Sequence, residues 1–279
     1  MDFMFGPSIQ VAVNVPVSPL QPRIATPLIG LSPFELEALL EQNLDSIEDF
    51  YDADPFYQDM HPADARANYY NNPEFVKRCR ALKGRIPASV YLSEPQIFVR
   101  EEPGNHYSAE YNSELNRRLD TLLSQYKRTG GKDRPPPGKI FTKRFRKERE
   151  WIVEQQLHIV QYLCEKQHRY LETNALIDLQ YITQHDIGDN IDYSNSTVSR
   201  LMNNLTIQLP DGKIIFAEEL TPDKNFLRTN ALKYLQQDPQ CYENGKWKVS
   251  DRKLRDILEQ KFGFDISRRT VAYYRNMIS

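Results

Sequence analysis

Cysteine is scarce in this chain: Cys79, Cys164 and Cys241 are the only three in 279 residues. Their odd number and wide spacing supply no disulfide framework and fit reduced thiols. No apolar run approaches the roughly 18 residues that cross a membrane, and the N-terminus lacks a basic segment ahead of an apolar one. A cytoplasmic protein with no membrane partner is therefore expected, and the sequons at Asn195 and Asn204 are chance matches. Catalytic strings are missing too, since neither Gly-x-Ser-x-Gly nor His-Glu-x-x-His occurs. Gly131-Lys132 and Gly138-Lys139 lack the Ser or Thr and the upstream Gly of a phosphate loop. Cys164 and His168, four apart on a helix with His158 before them, are two candidate ligands on one core helix without another Cys or His cluster. Such pairs pack far more often than they coordinate. The expectation is no enzyme, no cofactor and no metal site.

What the chain does have is charge, unevenly spread. Through Phe75 there are 2 basic and 12 acidic residues, so the remainder carries net +8 against an overall −2. A basic body tethered to an acidic arm suggests nucleic-acid binding by the former, with the arm mimicking or blocking nucleic acid. A hydrophobic content of 40% suits several small helical cores rather than one large one.

Residues 1–30 are Pro-rich and expected to be extended. Ser32 to Phe50 predicts an acidic amphipathic helix with Leu36, Leu39, Leu40, Leu44 and Ile47 on one side, Ser32 capping and Glu35 at N3. So short a helix is marginal alone, and its stripe needs a partner surface. Tyr51 to Pro73 reads as a linker. Beyond it, the pattern predicts a helix near Phe75 to Leu82, a strand near Ile97, a helix from Ser113 to Tyr126 and a loop over 127–139. A long helix over 141–172 carries Phe145, Ile152, Ile159, Leu163 and Tyr170 as its core stripe. Residues 221–245 read as a linker with one helix near Asn230 to Gln237.

Two helix-turn-helix patterns follow. In the first, Ile182 to Ile191 is a helix, Asp192-Tyr193-Ser194 the turn and Asn195 to Met202 a second helix buried through Val198, Leu201, Met202 and Leu205. Thr206 to Leu209, the turn Pro210-Asp211-Gly212 and Lys213 to Phe216 then predict a β-hairpin. In the second, Ser250 caps a helix whose Leu254, Ile257, Leu258 and Phe262 form one stripe, and Gly263 ends it. Ser267 caps a final helix in which Thr270, Val271 and Tyr274 face the first. Arg268, Arg269, Ala272, Tyr273 and Asn276 fall on the opposite side, with Arg275 at the boundary. An Arg pair in the first turn of a second helix reaches base edges in the major groove, where the guanidinium fork matches guanine O6 and N7. General affinity would come from Lys246, Lys248, Arg252, Lys253 and Arg275 at phosphates.

The string Ser267-Arg268-Arg269-Thr270-Val271-Ala272-Tyr273-Tyr274-Arg275 resembles the signature box of the enhancer-dependent sigma-54 family of bacterial RNA polymerase subunits, Ala-Arg-Arg-Thr-Val-Ala-Lys-Tyr-Arg. Ser267 for Ala improves the cap, and Tyr273 for Lys removes a cation. Ser196-Thr197-Val198-Ser199-Arg200 is similar to the family's Ser-Thr-Ile-Ser-Arg run, which adds Ser196, Thr197 and Arg200 as DNA contacts. Pro7-Ser8-Ile9-Gln10-Val11 and Ile29-Gly30-Leu31-Ser32-Pro33-Phe34-Glu35-Leu36-Glu37 resemble the family's opening. Pro95-Gln96-Ile97-Phe98-Val99-Arg100 resembles a strand of its core-binding region. Most of the stretch that precedes that strand in the family has no counterpart here.

The resemblance implies a mainly α, multi-domain protein with helix-turn-helix units, one winged by a β-hairpin, plus a small mixed segment. It implies a regulatory region at 1–50 that controls promoter opening, with Leu36, Leu40 and Ile47 as its docking stripe, and an acidic linker at 51–74. A reduced core-binding region follows at 75–140, then a winged helix-turn-helix domain at 141–220, a linker at 221–245 and a DNA-binding domain at 246–279. Its implied partners are core RNA polymerase, promoter duplex at a GG element and an activator ATPase, in a nucleoid-associated setting. Two rivals stay open at the level of sequence: a DNA-binding repressor or antagonist without stable polymerase binding, and a recombinase or transposase accessory domain.

Overall fold

The computed structural model describes residues 28–41, 77, 81–82, 86–104, 106–126 and 138–278. The elements used below are α1 (33–41), α2 (Ala88–Tyr91), β1 (Ile97–Glu102), β2 (His106–Tyr111), α3 (Ser113–Tyr126), α4 (Gly138–Lys166) and α5 (His168–Thr173). They continue with α6 (Gln184–Ile191), α7 (Asn195–Met202), β3 (Thr206–Gln208), β4 (Ile214–Phe216), α8 (Lys224–Leu235), β5 (Tyr242–Glu243), β6 (Lys246–Trp247), α9 (Asp251–Phe262) and α10 (Arg268–Ile278). The protein is mainly α with a small mixed sheet, as its sequence led us to expect.

The long helix α4 is the spine. Phe145, Ile152, Ile159 and Leu163, spaced to recur on one face, are all buried, and Tyr170 extends the stripe into α5. The two helices are separated at Gln167, which is fully buried. Its side-chain amide donates to the carbonyls of Gln180 (2.8 Å) and Leu220 (2.7 Å) and accepts from the Gln180 N–H (2.8 Å). One satisfied polar side chain thus ties the helix break to two segments, and satisfaction is what makes its burial tolerable.

The sheet has the order β2-β1-β3-β4. β1 runs antiparallel to β2 and parallel to β3, with Ile97 opposite Ile207, and β3 and β4 form the expected hairpin around Gly212 at φ 87°. The wing is therefore not a free hairpin. The strand near Ile97, assigned from sequence to a separate region at 75–140, supplies its third member. Gln96 locks the junction: its N–H donates to the Thr206 carbonyl (3.0 Å) and its side chain to the Asn204 carbonyl (2.6 Å).

The N-terminal segment corrects another expectation. Ser32 and Glu35 form the predicted capping box, with Ser32 N–H donating to Glu35 Oε2 (2.8 Å) and Glu35 N–H to Ser32 Oγ (3.2 Å). The stripe, however, does not await an external surface. Leu28, Ile29, Leu31, Leu36, Leu39 and Leu40 lie in the same hydrophobic cluster as α4, α7 and the sheet. Asn203 donates to the Gly30 carbonyl (2.9 Å), and Arg118 of α3 bridges Glu37 of α1 and Glu94 (2.7 Å each). Leu44, Ile47, the Pro-rich stretch before residue 28 and the acidic linker at 51–74 lie outside the described residues.

A second core gathers Ala231, Leu232, Leu235, Cys241, Leu254, Leu258, Ile266, Val271 and Tyr274. The segment 221–245 read as a linker is thus part of the C-terminal fold. α8 begins six residues before the predicted helix because Asp223 accepts from the Phe226 N–H (2.7 Å) and caps it there. It also bridges the cores, since Leu227 belongs to the main one. After α8, β5 and β6 pair across Asn244-Gly245, both at positive φ (50° and 76°), which is the two-residue turn that Asn-Gly favours.

Leu40→Ala is expected to lower global stability by about 2 to 5 kcal/mol in urea unfolding, as for a core leucine. An unchanged midpoint would mean that the stripe is a free arm.

Candidate nucleic-acid interface

The C-terminal helix pair is set by its caps. Ser250 Oγ accepts from the Lys253 N–H (3.3 Å) at the start of α9, and Gly263, at φ 69°, closes it in the left-handed conformation that favours glycine. Ser267 Oγ accepts from the Thr270 N–H (3.1 Å) to start α10. Val271 and Tyr274 then enter the core, and the Tyr274 hydroxyl donates to Asn225 of α8. The opposite face presents Arg268, Arg269, Tyr273 and Asn276 to solvent, with Ala272 half-buried between them. Tyr273 is 61% exposed. Neither Arg268 nor Arg269 makes an ion pair among the described residues. Two unpaired guanidinium groups on the first turn of a helix stay available for a planar pair of acceptors.

Thr270 is spent locally, its hydroxyl 2.9 Å from Ser267 Oγ. Arg275, expected at a phosphate, is half-buried and engaged within the fold: its guanidinium is 2.5 Å from Asp251 Oδ1 and 5.9 Å from the centre of the Trp247 ring. It braces α10 against the start of α9 and the β5–β6 hairpin. Lys248 pairs with Glu243 at 3.0 Å. An internal carboxylate competes with any phosphate for each of these two cations, less so at the half-exposed Lys248–Glu243 pair. Lys246, Arg252 and Lys253 are exposed and form no ion pair among the described residues. The sequence reading missed Asp251, Trp247 and Asn225 as the residues that position α10. The Asn-Gly turn would have revealed the hairpin that carries Trp247.

The winged unit is built with similar economy. Thr183 and Asp186 form a capping box on α6, with Asp186 Oδ2 accepting from Thr183 N–H (2.7 Å) and Oγ1 (2.6 Å); these bonds hold its carboxyl below the ordinary aspartate value. Gly188 is required by the turn: a Cβ there would stand 2.4 Å from the Tyr193 carbonyl oxygen. Val198, Leu201, Met202 and Leu205 fill the core beneath α7. Of the predicted contacts, Ser196 is exposed and Thr197 and Arg200 half-buried. Arg200 folds back along its own helix, with Nε donating to the Ser196 carbonyl (2.8 Å) and Nη2 to Ser196 Oγ (3.3 Å). The structure therefore brings these three together on one surface, with Arg200 and Ser196 bonded to each other.

The remaining chemistry is structural. Cys164 is enclosed, and burial pushes its thiol up to about 12, the reverse of what a metal-binding thiolate needs. His168 packs edge-on against Tyr107, ring centres 5.4 Å apart, while His158 is exposed. Among the described residues no group of three or more His, Cys, Asp or Glu is placed to hold a metal, and no helix is long and apolar enough to cross a membrane.

With this geometry in place, residues 143–279 match the family described as Sigma-54, DNA binding domain. The chain is 27% identical over 213 residues to an RNA polymerase sigma-54 factor of Bacillus subtilis (strain 168), covering 71% of this chain and 47% of that protein. It is 23% identical over 219 residues to an RNA polymerase sigma-54 factor of Azotobacter vinelandii, covering 73% and 43%. The chain thus spans about half the length of these curated relatives. A crystal structure of Aquifex aeolicus sigmaN bound to promoter DNA is similar at 16% identity with a TM-score of 0.40, covering 80% of this chain and 72% of that one.

Proposed function

We propose, because residues 143–279 belong to the sigma-54 DNA-binding domain family, that this chain is a compact sigma-54-like transcription initiation factor. On this reading α10 enters the major groove at a GG element and Arg268 and Arg269 each present a guanidinium fork to guanine O6 and N7. Ser267, Ala272, Tyr273 and Asn276 line the same approach. Lys246, Arg252 and Lys253 supply the sequence-independent attraction to phosphates. The winged unit lies on the downstream promoter element through Ser196, Thr197 and Arg200. Core polymerase is the protein partner and an activator ATPase the trigger of opening, with the region up to residue 50 restraining it. The observation that carries the reading is the Arg268–Arg269 couple, without an ion pair among the described residues, on the solvent face of a helix whose other face is fixed by Val271, Tyr274 and Arg275.

Arg269→Ala should cost about 1 to 3 kcal/mol on a cognate duplex and relax preference at one or two base pairs. Fluorescence anisotropy on cognate and scrambled duplexes measures this. Equal loss on both would reduce Arg269 to a phosphate contact.

Binding to core polymerase is expected to be detectable, weaker than that of a full-length sigma-54 factor and steeply reduced by salt, because the basic surface after Phe75 contributes to it. Competition between the two proteins for one core enzyme at two salt concentrations provides the check. Absence of displacement at both would make the chain a DNA-binding regulator rather than an initiation factor.

A further inference from the structure

Between the two cores lies a groove of about 950 Å³, a volume at the upper end for a small-ligand cleft. One wall is the segment from Leu176 to Tyr181 that precedes the winged unit. The other is α8 together with the end of α9 and the turn into α10. Its floor is fixed by packing on both sides: Leu227 of α8 is buried in the main core, Ile177 packs on the terminal core, and Phe264 touches both. The groove is therefore part of the folded frame.

Its lining combines rings and cations. Tyr181 is 46% exposed and Tyr234 49% exposed. The Lys224 ammonium lies 4.7 Å from the centre of the Tyr181 ring, and Tyr234 stands edge-on to Phe262, which stacks with Phe264. Lys224, Arg228 and Lys261 form no ion pair among the described residues, and the buried Nε of Arg228 has no hydrogen-bond partner. Of the two lining carboxylates, Asp178 is already neutralised by Arg169 at 2.8 Å, which leaves Asp265 against three cations. Exposed rings bordered by cations that form no ion pair among the described residues are what a nucleic-acid strand with unstacked bases requires: each base has a π-face to stack and each phosphate a charge to place.

We propose that this groove binds a single strand of nucleic acid, with bases stacking on Tyr181 and Tyr234 and phosphates meeting Lys224, Arg228 and Lys261. The site is separate from base reading by α10, because none of Arg268, Arg269, Tyr273 and Asn276 lines it. An acidic peptide would use the cations and leave the rings idle.

The test uses the full chain and fluorescently labelled oligothymidine and oligouridine, with a GG-containing duplex as the control. Tyr181→Ala combined with Tyr234→Ala should weaken single-strand binding by roughly tenfold or more while leaving duplex binding unchanged. Lys224→Gln with Lys261→Gln should flatten the salt dependence of the same binding. A preference between the two oligonucleotides would identify the strand as DNA or RNA, provided the tyrosine variant loses both. Unaltered oligothymidine binding in that variant would overturn the proposal, as would an oligoglutamate peptide that binds equally tightly and is insensitive to the tyrosines. If the double tyrosine variant loses its thermal transition, Lys224→Glu at an exposed position replaces it, and unchanged oligothymidine binding there would again overturn the proposal. Failure of the Arg269→Ala prediction would leave this result untouched.

Discussion

Ile97 and Ile207 sit opposite each other in parallel strands, and the rest of the molecule depends on that pairing. Closing a loop of 110 residues between Gln96 and Thr206 costs about 4 kcal/mol of chain entropy. Burying Ile97, Val99 and Ile207 returns about 1.5 to 3 kcal/mol for each side chain, enough to offset the closure. Gln96 adds specificity rather than net energy, because its buried N–H and its side-chain Nε2 find their acceptors, the Thr206 and Asn204 carbonyls, in this register. With the strand in place, the wing, α7 above it and the N-terminal segment against it share one core.

From that core the second one is held at a set distance. α8 places Leu227 in the first and Leu232 and Leu235 in the second, and Phe264 contacts both. The two helix-turn-helix units are thus carried on a continuous packed frame. On the proposed function, a helix so supported loses little freedom when it docks, which favours discrimination between sites over mere adhesion. The same economy explains Arg275: its pairing with Asp251 orients α10 so that Arg268 and Arg269, which form no ion pair among the described residues, face outward.

Local pattern was legible wherever one face of an element meets one core. α3 occupies the predicted Ser113–Tyr126, α7 the predicted Asn195–Met202, and α9 and α10 follow their caps. α8 was obscured for a physical reason: its apolar residues serve two cores, so no single stripe marks the first half of the helix, and Pro222 and Asp223 before it mimic a linker. The family resemblance marked the strand at Ile97 but not its partner, because pairing across more than a hundred residues leaves no local trace. The N-terminal stripe was visible, whereas its docking on the chain's own core was not. At the interface, spacing placed Arg268 and Arg269 on the open face. It could not distinguish Arg275 as a brace, since Asp251 lies 24 residues earlier and comes near only through the fold.

The central claim is that α10 reads guanine edges through the two arginines, and methylation interference addresses it most directly. Promoter-like DNA selected by the chain from a random pool is sparsely methylated at guanine N7, bound, separated and cleaved at the modified bases. Because N7 is one of the two acceptors that a guanidinium fork requires, the account predicts strong depletion of methylation at adjacent guanines in the bound fraction. An identical methylation pattern in bound and unbound DNA would contradict it.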